Sequence, residues 1–221
     1  MGLEKRENNT TWASIIADGS IRVRSEESNP NAVRRDYELK DGTKGTKWEL
    51  VYTNLRGHIN DISFRDGDYG TQLMILIDDI TLAVSMNSKY ADDILKKLPN
   101  VDFSKDVNFV PFAFDDDNGK EKKGVTIYQD LGDVKPSKLT NFFYDPETNG
   151  SKHGYPEFPE NSKKMKKDDW KIYFITVRKF LQEYTEANVT PLVKPNTLTP
   201  NEKIVEDAEL EIDVENIKFE S

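Results

Sequence analysis

Basic and aromatic side chains recur together along this chain. Lys44, Lys47, Trp48, Tyr52 and Arg56 share one run, and Arg65 and Tyr69 flank a turn. Lys122 and Lys123 precede Tyr128, and Lys163, Lys164, Lys166 and Lys167 precede Trp170. Arg22 and Arg24 alternate with Ile21 and Val23, which sets both cations on one face of an extended segment. Such a mixture suits retention of a single-stranded polynucleotide, in which cations neutralise phosphates and ring faces stack on bases without reading their order. Each group also has a structural use. Trp48 and Tyr52 lie two residues on either side of Leu50, so they are either buried together or presented together. Tyr69, in a polar turn, is the ring least suited to a core. The lysines of KKMKK and the arginines beside Glu26 and Glu27 serve equally as solvated faces.

Bond-making chemistry has less to work with. The two histidines, His58 and His153, are far apart in sequence, and no cysteine occurs, so thiol catalysis, thiolate metal sites and disulfides are excluded. Paired acids stand at Asp78-Asp79, Asp92-Asp93 and Asp115-Asp116-Asp117, the donor type that holds magnesium in a nuclease. Neighbouring strand positions face opposite ways, which separates Asp78 from Asp79. The run from Asp115 to Gly119 lacks the alternating ligands and closing Glu of a calcium loop and reads as a hairpin tip. No Gly-rich loop ending in Lys-Ser/Thr is present, so nucleotide hydrolysis has no support. No cofactor is expected.

The net charge of −9 argues against a phosphate partner until its distribution is considered. Residues 186–221 hold nine acidic side chains against three lysines, a net of −6, so the other 185 residues carry −3. Within them, residues 151–180 hold eight Lys or Arg against four acids. The body is therefore nearly neutral, with basic islands. No apolar run approaches the roughly 18 residues of a membrane span, and the N-terminus lacks the apolar segment of a secretion signal.

These residues need elements to position them. Period-two alternation through Leu50, Tyr52, Ile59, Ile62 and Phe64, then Leu73, Ile75 and Ile77, predicts paired strands with one buried face. Gly57 sits within the first of them, where a strand bends sharply or another group passes close. A third strand follows from Ile80 to Met86. Asn87-Ser88 then caps a helix with Tyr90, Ile94, Leu95 and Leu98 on one side, ended by Pro99. Two further strands flank Asn118-Gly119, the strongest hairpin signal in the chain. Three strands, one helix and two strands make the plan of an OB-fold, a five-stranded barrel.

The expected fold is thus mainly β: an OB-fold barrel with one helix between strands three and four, a β extension before it, and a C-terminal helical segment and flexible tail after it. Residues 1–10 read as disordered, 11–189 as the domain, and 190–221 as a Pro-containing linker and acidic tail. The extension is expected to hold hairpins at Asp18-Gly19 and Asp41-Gly42. Residues 138–169 read as a long loop anchored by Phe142, Phe143, Tyr144, Tyr155 and Phe158. The run after it, WKIYFITVRKFLQEYTE, is expected to start strand-like and become helical by Arg178.

The runs GSIRVR, KWELVYTNLRGHINDISFRDGDYGTQLMILIDD, SKYADDILKKLPNVDFSKDVNFVPF and GVTIYQD resemble the single-stranded-DNA-binding proteins of tailed bacteriophages, over about Gly19 to Lys135. The pattern consists of Tyr52, Gly57 and Ile59, the Tyr69-Gly70 turn, and the segment from Leu98 to Lys105. The resemblance implies a non-enzymatic OB-fold accessory of phage DNA replication and recombination, in the cytoplasm of the infected bacterial host. It also implies that the acidic tail, with Glu215, Ile217 and Phe219 near its end, docks replication proteins and competes with DNA. A phage structural or assembly protein, using its barrel to contact protein, is the alternative that the acidic charge favours. The oligomeric state is open.

Overall fold

The computed structural model describes residues 11–38, 42–67, 70–130, 132 and 135–194. The first ten residues, Tyr69, and the tail with Glu215, Ile217 and Phe219 lie outside the described residues. No helix among the described residues is long and apolar enough to cross a membrane.

The protein is mainly β, in two principal sheets. Strands β1 (Thr11–Ile15), β2 (Ile21–Ser25), β3 (Val33–Glu38), β4 (Lys44–Tyr52), β5 (Leu55–Gly57), β6 (Ile59–Arg65), β7 (Gln72–Ile77) and β8 (Ile80–Ser85) precede helix α1 (Lys89–Leu95). Strands β9 (Val107–Asp115), β10 (Glu121–Gln129) and β11 (Ser137–Lys138) follow, and helix α2 (Lys167–Tyr184) continues into short helical turns that reach Leu192. The larger sheet has seven strands in the order β3-β4-β2-β1-β8-β7-β6, and the smaller has four in the order β11-β10-β9-β5. From Ile59 onward the alternation acts as expected, Ile59, Ile62, Leu73, Ile75, Ile77, Leu82 and Val84 pointing into one core with Phe109, Val125 and Ile127 from the smaller sheet; in β4 it does not, since Leu50 is only half-buried, Tyr52 is exposed and the buried residue is Glu49.

The expected closed five-stranded barrel is not formed. The chain from β4 to β6 is instead one long bent run: β4 pairs with β2, β5 leaves to pair with β9, and β6 pairs with β7. The bend falls at Gly57, whose φ is +155°. A Cβ on Gly57 would fall inside the Asp78 carboxylate, so no side chain fits there. Asp78 sits in the β7–β8 turn and is tied to the bend twice, its N–H donating to the His58 carbonyl at 2.9 Å and its Oδ1 accepting from the His58 N–H at 3.4 Å.

The helix expected after the third strand is present as α1, and Ser88 caps it by accepting from the Ala91 N–H. α1 also takes a place that a strand would fill. The outer edge of β10 exposes the N–H and C=O of Val125; Asp93 accepts the first at 2.7 Å, and the Lys97 ammonium donates to the second. Asp93 and Lys97 pair with each other at 2.8 Å. One ion pair at the end of the helix thus satisfies both backbone groups, and further along β10 the Ile127 carbonyl accepts from the Leu139 N–H.

Two expectations about the flanks are corrected. The N-terminal segment is no addition to a finished barrel, because β1 lies between β2 and β8 and runs parallel to β8. The late segment is helical from Lys167, with no strand at its start. The Asp169 carboxylate accepts from the Lys166 N–H at 2.8 Å and, with Asp168, places negative charge at the positive end of the helix. Tyr173, Val177, Phe180, Leu181 and Tyr184 then pack inward at helical spacing, and tertiary burial overrides the strand preference of the β-branched and aromatic residues. Their contacts include Phe143 of the long loop, edge-on to Tyr184 at 4.9 Å, which bears out the anchoring role of that aromatic.

Gly57→Ala is expected to cost at least about 3 kcal/mol, since either the bend or Asp78 must move. Gly67→Ala, where the nearest atom to an added Cβ is 4.0 Å away, is expected to stay within about 0.5 kcal/mol of the parent. Urea midpoints compare the two, and equal shifts contradict the proposed role of the corner.

Candidate nucleic-acid interface

Opposed residues in a sheet share a face. Across the smaller sheet, Leu55 opposes Phe109 and Phe109 opposes Ile127, and this row is core. The neighbouring row, Arg56, Asn108, Tyr128 and Lys138, must therefore point outward, and each of its members keeps solvent access. The same outer face continues along β9 and β10 through Val110 opposite Thr126, Phe112 opposite Gly124, and Phe114 opposite Lys122. Gly124 makes room for two neighbours, since a Cβ there would stand 2.5 Å from the Asp93 carboxylate and 2.8 Å from the edge of the Phe112 ring. The Phe112 and Phe114 ring centres are 5.8 Å apart, and Phe114 is 56% exposed. Three rings and three cations thus lie on this side of the sheet, grouped towards its two ends, with Gly124 and Thr126 buried between them.

At the Tyr128 end this surface opens into a cleft of about 660 Å³ lined by the cations Arg56, Lys105 and Lys135, the acids Asp106 and Asp130, and Asn108 and Tyr128. Gln129 builds one wall. Fully buried, it accepts from the Asp102 N–H at 2.9 Å and donates to the carbonyls of Asp102, Lys105 and Asp106, which fixes the loop that carries Lys105. Asn54 donates to the Asn108 side-chain oxygen at 2.9 Å, which orients the Asn108 amide.

The structure thus brings together Arg56, Lys122 and Tyr128 from the residues singled out in the sequence. Others are placed elsewhere. Arg22 and Lys47 turn to the buried carboxylate of Glu49, at 3.6 and 3.9 Å, and Arg35 grips the same carboxylate with two hydrogen bonds of 2.7 Å. Trp48 and Tyr52 share a face as expected, but differ in burial, Trp48 half-buried and Tyr52 exposed at the strand end. Lys44 pairs with Glu38, and Lys123 pairs with Glu121 at 2.6 Å. Lys122 reaches Asp116 at 3.5 Å and remains half-exposed. Lys163, Lys164, Lys166 and Lys167 are exposed around the start of α2, where Trp170 packs against Phe158 and Phe174. Arg24 and Arg65 are exposed on the outer face of the larger sheet, and Arg65 lines a shallow hollow with the half-exposed Trp12 and Met74.

Phe112, Phe114, Lys105, Lys135 and Lys138 were not among the residues the sequence pointed to. The run VNFVPFAFD held the signal, because it is apolar at both parities while only the set containing Val107, Phe109 and Pro111 can face the core. Among the described residues, no group of three or more His, Cys, Asp or Glu side chains is placed to hold a metal ion. Comparison with protein-family models, with curated proteins and with solved structures finds no match to this chain.

Glu49 decides whether Arg22 and Lys47 are structural. The Arg35 hydrogen bonds hold its carboxyl below the ordinary glutamate value of 4.5, against the opposing effect of burial. A depressed folded value means that the network stabilises fully above the unfolded value and is lost as pH falls through the folded one. Glu49→Gln is expected to lower stability by about 2 kcal/mol at pH 7, with the gap to the parent narrowing as pH drops below 4.5. Urea titrations across that range test this, and a gap independent of pH contradicts it.

Proposed function

We propose that this protein binds single-stranded DNA with little regard to sequence, laying the strand across the outer face of the smaller sheet. The observation that carries the reading is the set of rings and cations on that side of the sheet: Phe112 and Phe114 with Lys122 towards one end, Tyr128 with Arg56 and Lys138 at the other. The Phe112 and Phe114 ring centres stand 5.8 Å apart, whereas bases stacked within one strand of a duplex rise about 3.4 Å each. A strand whose bases rest on these rings is therefore held extended and unstacked, and a duplex, whose base faces are already covered, has nothing to offer them. Phosphates meet Arg56, Lys138 and the cleft cations Lys105 and Lys135. No bond is made or broken.

On this reading the core from Leu55 to Gln129 is an OB-type arrangement whose gap is filled by α1, and the chain serves phage DNA replication or recombination in the infected cell. The acidic tail would dock replication proteins. A structural or assembly protein remains a second reading, favoured by the exposed apolar side chains Ile172, Phe174 and Ile175 on α2.

Fluorescence anisotropy with a labelled oligothymidine strand and a duplex of equal length, across a salt series, tests the proposal. Single-strand preference and steep loss of affinity with salt are expected. Tyr128→Ala and Phe114→Ala should each weaken binding by about fivefold or more, and Arg56→Ala should lower the salt slope by about 0.7. Absence of binding at low salt favours the assembly reading.

A further inference from the structure

The sheet edges are not treated alike. The β6 edge is covered where Thr190 donates to the Ile62 carbonyl, and the β10 edge is closed by α1 and β11. β5 and β11 are only three and two residues long. β3 is the exception: six residues long, paired among the described residues with β4 alone, and free of proline and bulge. Bare edges of this kind are usually blunted because they invite another strand.

This edge is also held in shape. Arg35 is clamped to Glu49, the Thr46 hydroxyl donates to Asp36 at 2.8 Å, and Arg34 pairs with Asp36 at 3.2 Å. The Tyr37 ring lies over Gly45, with the Lys47 ammonium 5.1 Å from its centre. Val33 and Tyr37 nevertheless remain 51% and 37% exposed.

We infer that β3 is the contact surface for a second copy of this chain, the two β3 strands pairing antiparallel about a two-fold axis at Arg35. A two-fold perpendicular to the sheet keeps each face continuous, so residues of equal parity must oppose one another. Centred on Arg35, the strand VRRDY matches itself. Arg34 opposes the partner's Asp36 and Asp36 the partner's Arg34 on one face, while Val33 opposes the partner's Tyr37 and Tyr37 the partner's Val33 on the other. Opposite charges and aromatic with β-branched residues are favourable cross-strand pairs. The two central arginines meet at the axis, but each is already neutralised by its own Glu49. Centring on Arg34 instead sets Asp36 against Ala32 and Val33 against Arg35, and centring on Asp36 sets Arg35 against Tyr37, so only the Arg35 register keeps both the charge pairs and the Val33–Tyr37 pairs. The contact joins two seven-stranded sheets into one and leaves the outer face of the smaller sheet free.

Sedimentation velocity of the full chain over a broad concentration range tests the inference. The parent should dimerise reversibly, and Arg34→Asp and Asp36→Arg should each raise the dimer dissociation constant at least tenfold, with circular dichroism confirming their fold. Mixing the two single variants should restore a heterodimer, because one strand then carries acids at both positions and meets a strand that carries arginines at both. Hydrogen exchange of the unmodified chain gives a readout free of mutation: the amides of residues 33–37 that face the free edge, and not those already bonded to β4, should gain protection as concentration rises. A parent that stays monomeric, single variants that dimerise as the parent does, a mixture that stays monomeric, or exchange at β3 independent of concentration overturns the inference.

Discussion

Asp78 occupies the space that a side chain at position 57 would need, and the two-sheet architecture follows from that contact. Because residue 57 is glycine, the chain can turn between Leu55 and Ile59, leave the larger sheet to pair with β9, and rejoin it beside β7. The smaller sheet has a fourth strand only because of this detour. Arg56, next to the bend, faces outward beside Asn108 and Tyr128 for the same reason. The corner that organises the core therefore also places the first cation of the candidate interface.

The second constraint is the free edge of β10. A strand edge facing a helix would leave backbone groups buried without partners, at about 1–3 kcal/mol each. Asp93 and Lys97, one turn apart at the end of α1, supply an acceptor and a donor to the same residue, Val125. Lys97 is buried, and its charge is compensated by Asp93 and by the carbonyl it meets. The helix thereby substitutes for a closing ladder. It covers the edge of the smaller sheet, with Asp93 against Gly124, and leaves Phe114 exposed at one end of the outer face and Tyr128 in reach of solvent at the other.

Much of the fold was legible because its causes are local. Alternation marked β6, β7 and β8, Ser88 marked the start of α1, and Asp18-Gly19 marked a hairpin that forms as expected, with the Asp18 carboxylate accepting from the Ser20 N–H. The insertion of β1 beside β8 was not legible, since pairing partners distant in sequence leave no mark in the pattern of either strand. The extent of α2 was missed because Ile172, Phe174 and Ile175 favour strands locally, while the packing that makes the segment helical is that of Tyr173, Val177, Phe180 and Leu181 against the core and residues such as Phe143. For the candidate site, residue type was informative and orientation was not. Arg22 and Lys47 have the chemistry of phosphate ligands, but Glu49 stands between them, and Phe112 and Phe114 have the chemistry of core residues, but the register turns them outward.

The central claim is that the outer face of the smaller sheet carries the strand, in preference to the basic start of α2 or the Trp12 hollow of the larger sheet. Ultraviolet crosslinking of a bromodeoxyuridine-substituted single strand, followed by peptide mapping, reads the contacted rings directly. Crosslinks at Phe112, Phe114 and Tyr128 are expected. Crosslinks confined to Trp170 and its neighbours on α2, or to Trp12, would contradict the account.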